Sequence, residues 1–258
     1  MDAIFRVDGA HVITGPNAAG PWDPTMQHGS APAALVTWAA EAIPTPQPMQ
    51  VVRVTIDLMR PVPLVSLTVE TEVLRAGRKI QLCEVRLLAD GVMVVRGTVL
   101  KIKLNPGLAL PAEVADPPVE LPGPDQCAID DGAFSSSPFV TGMSMRAARG
   151  RFGKPGPGAI WFRVDRPLIE GAGVSQAMRA VVAADFSNGT SAVLDFRKWT
   201  FLNADLTVSL ARQPVGEWIL LDGESWIGPD GAGLATARLA DTRGYFGRAI
   251  QSLVIEPR

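Results

Sequence analysis

The sequence has few residues of the types that build disulfide frameworks and metal sites. Its 258 residues include two cysteines, Cys83 and Cys127, and two histidines, His11 and His28. Two cysteines fit a reducing compartment and exclude a disulfide framework. Because histidines, cysteines and paired carboxylates do not cluster, we expect no transition-metal site and no bound metal.

The sequence also lacks strong charge of either sign and long apolar runs. Its formal net charge is −2, which gives no reason to expect nucleic acid or a membrane surface as a partner. No apolar run is long enough to span a bilayer, and the N-terminal residues lack the layout of a signal peptide. We therefore expect a cytoplasmic protein. Since 47% of the residues are hydrophobic, the chain can bury a full core. Its length of 258 residues is enough for one large domain or two domains of typical size.

Two catalytic motifs are missing as well. The sequence contains no Gly-x-Ser-x-Gly motif, which disfavours a hydrolase with a serine nucleophile. The run Gly171-Ala-Gly-Val-Ser-Gln176 lacks the third glycine and the preceding buried strand of a dinucleotide-binding fingerprint.

A helix predicted over residues 174–186 carries the most unusual residue. Its apolar stripe consists of Val174, Ala177, Met178, Val181 and Val182. Asp185 continues this stripe, where a carboxylate loses hydration, and it lies at the helix C-terminus, where the macrodipole disfavours negative charge. Asp185 is therefore either a functional carboxylate or a buried group that caps neighbouring backbone.

The chain repeats one layout twice. A helix from Ser30, which we predict as its N-cap, is followed by strands up to residue 103, and residues 160–258 show a strand, the Asp185 helix and four more strands. Three local matches, Glu41 with Asp185, Pro61 with Pro214 and Asp90 with Asp241, have offsets of 144, 153 and 151 residues. We predict an N-terminal unit (1–103), a Pro-rich linker and irregular segment (104–158), and a C-terminal unit (159–258) that carries the active site.

A helix followed by an antiparallel meander buries its apolar stripe against the sheet, which is the hotdog arrangement. The predicted fold class is α+β, a double hotdog of two tandem helix-plus-meander units, each sheet wrapping a central helix. Four motifs carry a family resemblance: Met59-Arg-Pro61, Ala184-Asp-Phe186, Asn203–Arg212 with the following Glu217-Trp218, and Gly247–Gln251. The chain resembles the acyl-CoA thioesterase II (TesB-like) family over most of its length apart from 104–158.

The resemblance implies site residues and an activity. Asp185 matches the catalytic aspartate and Gln251 the catalytic glutamine, whereas Asn203 replaces a threonine or serine of the family. Thr207 is the alternative hydroxyl if the alignment is shifted. The implied reaction is hydrolysis of acyl-CoA to free fatty acid and CoA, a step of lipid metabolism, by a water that Asp185 activates, with no cofactor.

Backbone N–H groups at Gly171 and Gly173 are candidates for an oxyanion hole, with an ordinary glycine turn as the alternative. Glu41 occupies the position equivalent to Asp185 in the first unit. Because the strand there offers Arg96-Gly97-Thr98 and no glutamine, we predict that the first unit is structural.

Two other functions remain open. The departure at Asn203 allows a non-catalytic acyl-CoA or lipid-binding hotdog protein. A hotdog dehydratase or hydratase would commonly pair aspartate with histidine, and no histidine follows His28, which we expect to be a capping or solvated residue. Since open sheet edges often pair, we expect a homodimer.

Overall fold

The computed structural model describes residues 2–111, 113–114, 117–132 and 135–258. These residues form one 14-stranded sheet in which all paired strands run antiparallel. The strands are Phe5–Asp8 (β1), His11–Thr14 (β2), Met49–Leu58 (β3), Leu67–Ala76 (β4), Ile80–Ala89 (β5), Val92–Lys103 (β6), Ala128–Ile129 (β7), Met143–Arg149 (β8), Gly158–Val164 (β9), Trp199–Asn203 (β10), Asp205–Leu210 (β11), Trp218–Ile227 (β12), Ala232–Asp241 (β13) and Gly244–Pro257 (β14). The α-helices are Ser30–Ala42 (α1), Gln176–Ala184 (α2) and the single turn Ser187–Thr190 (α3).

The two halves of the chain meet at the centre of the sheet. The strand order is β1-β2-β4-β5-β6-β3-β11-β14-β13-β12-β9-β8-β7, with β10 paired to β14 off this path. The join is the β3–β11 pair, where Ile56 lies opposite Leu206 and Val54 opposite Val208. The sheets of the two predicted units are therefore continuous through backbone hydrogen bonds.

The helices pack side by side on one face of this sheet. Ala31, Leu35 and Val36 of α1 and Met178 and Val181 of α2 belong to one buried core. At Gly97 of β6, a Cβ would collide with the Val36 side chain, so the glycine lets α1 lie directly against the strand.

Asp90 and Gly91 form a two-residue hairpin turn between β5 and β6. Both residues have positive φ, 48° and 77°, as the favoured two-residue hairpin turn requires. Of the four strands predicted after the Asp185 helix, the first is instead two strands, β10 and β11, separated at Ala204. This break matters because it ends β10 at Asn203.

The predicted role of Ser30 as an N-cap is wrong. Gly29 is the N-cap of α1, and Ser30 is a fully buried residue of the first turn. Its hydroxyl donates to the end of α2. In contrast, Ser175 caps α2 in the usual way, because its Oγ accepts a hydrogen bond from the Met178 N–H.

The segment 104–158, predicted to be irregular, contributes β7 and β8 to the sheet. Its proline-rich part packs on the outer face of the second half, where the Trp161 Nε1–H donates to the Pro122 carbonyl at 2.9 Å. Tyr245 N–H likewise donates to the Pro117 carbonyl. Residues 112, 115, 116, 133 and 134 of this predicted segment lie outside the described residues.

Across the described ranges, none of the helices combines the length and apolar content needed to cross a bilayer. In the same part of the chain, no group of three or more histidine, cysteine, aspartate or glutamate side chains is arranged to hold a metal ion.

Candidate active site at the junction of the two helices

Asp185 is the C-cap of α2 and lies where that helix ends against the start of α1. The residue is buried, with 5% of its surface exposed. An ionised carboxylate at such a position requires hydrogen-bond donors, because burial removes its hydration and the helix dipole opposes its charge. The structure supplies those donors from the start of α1 and from the end of β10.

The start of α1 contributes the closest contacts. The Ser30 hydroxyl lies 3.0 Å from Asp185 Oδ2 and 3.1 Å from the Val182 carbonyl, so its single proton can serve either acceptor. A Cβ at Gly29 would lie 2.7 Å from Asp185 Oδ1. Gly29 is therefore required for the carboxylate to approach the backbone of α1 this closely.

His28 is the second contact. Its Nδ1 lies 3.1 Å from Asp185 Oδ2 and 3.2 Å from the Ser30 N–H. One nitrogen cannot donate to the carboxylate and accept from the amide in the same protonation state. An ionised Asp185 selects the form that carries a proton on Nδ1, because an unprotonated Nδ1 would face the carboxylate with a lone pair.

Asn203 is the third contact, at the end of β10. Its Nδ2 donates to Asp185 Oδ1 at 3.1 Å and lies 3.3 Å from the Asp205 carbonyl. The predicted proximity of Asn203 and Asp185 is thus present. An amide donates here as the hydroxyl of the resembled family could, although from a different side-chain geometry.

Gln251 reaches the same helix end but not the carboxylate. It is fully buried, its Nε2 donates to the backbone carbonyl of Asp185 at 3.1 Å, and its Oε1 accepts from the Asn188 N–H at 3.2 Å. The side chain therefore bridges the end of α2 and the start of α3. Such a bridge fixes the backbone that carries Asp185.

The structure does not bring Thr207 or Gly173 to this site. Thr207 lies between the buried Leu206 and Val208 of β11 and so faces the other side of the sheet, where its Oγ1 is 3.3 Å from Thr55 Oγ1. Gly173 precedes α2, at the opposite end of that helix from Asp185, and is exposed with no atom near its Cβ position. Neither Gly173 nor Gly171 therefore forms an oxyanion hole beside Asp185.

Aromatic rings enclose one side of the site. His28 stacks on Phe139 and packs against the tilted ring of Phe186, with both centroid distances 4.7 Å. Phe186 also packs against Phe152 and Phe162. These rings exclude water from the side of the carboxylate that His28 covers and hold the imidazole plane in place.

The hydrogen-bond pattern leaves one acceptor position on Asp185. A carboxylate has about four lone-pair positions, and the described residues place Ser30 and His28 at Oδ2 and Asn203 at Oδ1. The remaining position, on Oδ1, can accept a proton from a water or substrate. A positioned carboxylate with one such position can act as a general base.

Sequence reasoning missed His28, Gly29 and Ser30. Their signal was the repeat itself: Ser30 and Ser175 precede Glu41 and Asp185 at nearly equal spacing. The helices α1 and α2 lie antiparallel, because Ser30 contacts Asp185 at the end of α2, and Ser175, the N-cap of α2, lies near enough to Glu41 to lower the pKa of that carboxyl group. In an antiparallel pair, the first residues of α1 lie beside the last residues of α2, and the first residues of α2 lie beside the last residues of α1.

Comparisons with known proteins identify the family and the fold. Residues 18–102 match the family described as acyl-CoA thioesterase N-terminal domain, and residues 113–255 match acyl-CoA thioesterase C-terminal domain. None of the curated proteins matches this chain in sequence.

Several solved structures are similar over nearly the whole chain. A Thermobifida fusca protein assigned as thioesterase II has 18% identity and a TM-score of 0.76, covering 97% of this chain and 94% of its own. An Alicyclobacillus acidocaldarius protein of unknown function with a hot dog fold has 13% identity, a TM-score of 0.74 and coverages of 98% and 95%. The tesB protein of Mycobacterium avium subspecies paratuberculosis has 16% identity, a TM-score of 0.70 and coverages of 98% and 95%. The fold of this chain is therefore a hotdog fold.

Proposed function

Since the chain belongs to the acyl-CoA thioesterase family and is a thioester hydrolase, we propose that it hydrolyses acyl-CoA at the site around Asp185. The observation that carries this proposal is the buried Asp185 carboxylate, held by Ser30, His28 and Asn203 with one acceptor position left. Activation of water by a carboxylate needs no metal or organic cofactor.

The architecture we propose is a double hotdog whose two units build one site together. Residues 1–103 supply α1, with His28, Gly29 and Ser30 at its start, and residues 159–258 supply Asp185, Asn203 and Gln251. The β3–β11 pair joins the two sheets. The second unit contains the carboxylate and its donor Asn203, and the first unit supplies Ser30 and His28. The complete set of contacts therefore needs both units.

The proposed reaction starts with a water that donates a hydrogen bond to Asp185 Oδ1. Asp185 takes a proton as the water oxygen attacks the thioester carbonyl carbon, and the C–O bond forms. Collapse of the tetrahedral intermediate breaks the C–S bond, and the departing sulfur receives the proton that Asp185 holds. The products are the carboxylic acid and the free thiol of CoA, and Asp185 is again ionised.

The developing oxyanion needs a donor close to Asp185. Among the described residues, the Gly29 N–H has no hydrogen-bond acceptor, and it lies at the N-terminus of α1. Free N–H groups at a helix start stabilise negative charge. We propose that this amide takes the role that the sequence assigned to Gly171 and Gly173.

The test is release of free thiol from acyl-CoAs of short to long chain length by wild type, Asp185→Asn and Glu41→Gln. Loss of a general base reduces turnover by about a hundredfold or more, so Asp185→Asn should lose that much. Glu41→Gln is the matched control at the end of the other helix and should keep wild-type turnover. Equal turnover by all three proteins would contradict the proposal.

A non-catalytic acyl-CoA or lipid binder is the outcome if no substrate is turned over while acyl-CoA still binds.

One observation favours a hydratase or dehydratase, namely the contact of His28 with Asp185. This contact supplies the aspartate–histidine pair, which we did not expect from the sequence because no histidine follows His28. Enoyl-CoA tested in the same assay separates these reactions, since hydration removes the conjugated double bond without releasing a thiol.

We further propose a homodimer. At one edge of the sheet, β7 exposes Ile129, which is 71% accessible. At the other edge, residues 168–170 already hydrogen-bond to Phe5 of β1. Sedimentation of the purified protein gives the assembly mass directly, and a monomer at micromolar concentration would contradict this proposal.

A further inference from the structure

A cleft of about 550 Å³ lies at the end of the first half, next to the turn between β4 and β5. Arg78 and Lys79 come from that turn, Lys103 ends β6, and Gln47 and Asn105 add two amide groups. Ile102 is the one apolar residue of the lining. No carboxylate lines this cleft.

The cations of this cleft differ from those of another arginine-containing cleft. There, Arg149 and Arg238 both contact the buried Asp222 at 2.6 Å, and Glu224 also lines the cleft. That cleft therefore contains carboxylates beside its arginines, although its third arginine, Arg248, forms no ion pair among the described residues. In the described part of the chain, Arg78, Lys79 and Lys103 form no ion pair.

The three cations are also held close together. The Lys103 N–H donates to the Lys79 carbonyl at 2.9 Å, and Arg78 is the residue before Lys79. Like charges on neighbouring strands destabilise each other. A bound anion would remove this repulsion. The whole chain has a net charge of −2, so this cluster of positive charge is a local feature of the cleft.

The cleft lies away from Asp185. Asp185 contacts Ser30 at the start of α1, whereas Gln47 follows the end of the same helix. The 13 residues of α1 extend about 20 Å at 1.5 Å per residue. The cleft is therefore at the Glu41 end of the molecule.

We propose that this cleft binds the phosphorylated nucleotide end of a CoA molecule, at a site separate from the hydrolytic one. Three cations match several phosphate groups, the amides can bind the base or ribose, and the volume is in the range of small-molecule sites. The choice of CoA as the source of the nucleotide rests on the proposed function; the anion site itself does not.

The experiment is calorimetric titration with CoA and with its adenosine bisphosphate fragment. The proteins are wild type, the triple variant Arg78→Ser/Lys79→Ser/Lys103→Ser, and a control in which the exposed, unpaired Arg6, Lys154 and Arg248 are changed to serine. We expect the cleft variant to lose at least about tenfold in affinity for the fragment, while the control variant and Asp185→Asn bind as wild type does.

Absence of fragment binding by wild type, or equal weakening in both triple variants, would overturn the site. Kinetics tests its separateness: the cleft variant should keep the wild-type kcat and KM for acyl-CoA. If the variant raises the KM for acyl-CoA but not for acyl-pantetheine, the cleft binds the nucleotide of the substrate that is being hydrolysed. That result would contradict the proposal that the cleft is a separate site. Loss of hydrolysis with fragment binding intact would contradict the proposed function alone.

Discussion

The two helix ends of this protein have the same layout and different chemistry. At one end, Asp185 closes α2 beside Ser30 of α1. At the other, Glu41 near the end of α1 lies beside Ser175, the N-cap of α2. In both halves a side chain from the last strand donates to the helix C-cap carbonyl, Gln251 to Asp185 and Lys101 to Ile43.

The difference lies in what surrounds each carboxylate. Asp185 is buried among hydrogen-bond donors, whereas Glu41 is an exposed residue whose carboxyl group is partly covered by the protein. Burial of its carboxyl group raises the pKa of Glu41, which the Ser175 hydrogen bond and the charge of Lys101 oppose. Burial also lowers the pKa of Lys101. A shared scaffold thus carries one carboxylate suited to catalysis and one placed beside a cation.

The largest expected effect comes from comparing the glycine before each helix. Gly29→Ala places a Cβ 2.7 Å from Asp185 Oδ1 and must displace the carboxylate, so we expect kcat to fall about tenfold to a hundredfold. Gly173→Ala, where no atom lies within 4 Å, is the matched variant and should retain activity. If the two variants have equal kcat, Gly29 does not define the site.

A smaller loss is expected at His28, which has no counterpart at the Glu41 end. His28→Phe keeps the stacking with Phe139 and Phe186 but removes the Nδ1 contact to Asp185. We expect kcat to fall about tenfold, the loss of one hydrogen bond to a charged group. Thermal unfolding of the variant checks that the fold is kept, and an unchanged kcat would show that His28 only packs.

Asn203 tests whether an amide can replace the hydroxyl of the resembled family. Asn203→Ala removes the donor to Oδ1 and should lower kcat severalfold, since a hydrogen bond to a charged group is lost. Asn203→Thr should recover part of that loss if its hydroxyl reaches the same oxygen. A wild-type kcat in the alanine variant would contradict this role for Asn203.

The smallest effect concerns stability at the other end. A carboxyl group whose folded pKa is raised contributes stability below its unfolded pKa and loses it as pH rises through the folded pKa. Glu41→Gln should therefore gain stability relative to wild type between about pH 4 and neutrality. Because Glu41 is solvent-accessible, we expect a rise in Tm of no more than about 2 °C at pH 7, and scanning calorimetry at both pH values measures it.

Much of the local structure followed from periodicity. Alternating residues indicated most strands, and Ser30 indicated the start of α1 to within one residue. The strands β7 and β8 were missed because a serine- and glycine-rich segment hides their pattern. Such strands are held by pairing with neighbours, which composition does not report.

The sequence by itself determined the two helices, the meanders, their repetition and the unusual position of Asp185, because each depends on spacing along one chain. Only the tertiary structure decided which side chains surround Asp185, since His28 and Ser30 are more than 150 residues away in sequence. It also excluded Thr207 and Gly173 from the site. Thr207 points to the opposite face of the sheet because side chains alternate along a strand, and Gly173 is separated from Asp185 by the length of α2. Antiparallel packing of α1 and α2 is the physical reason, because it joins the start of one helix to the end of the other.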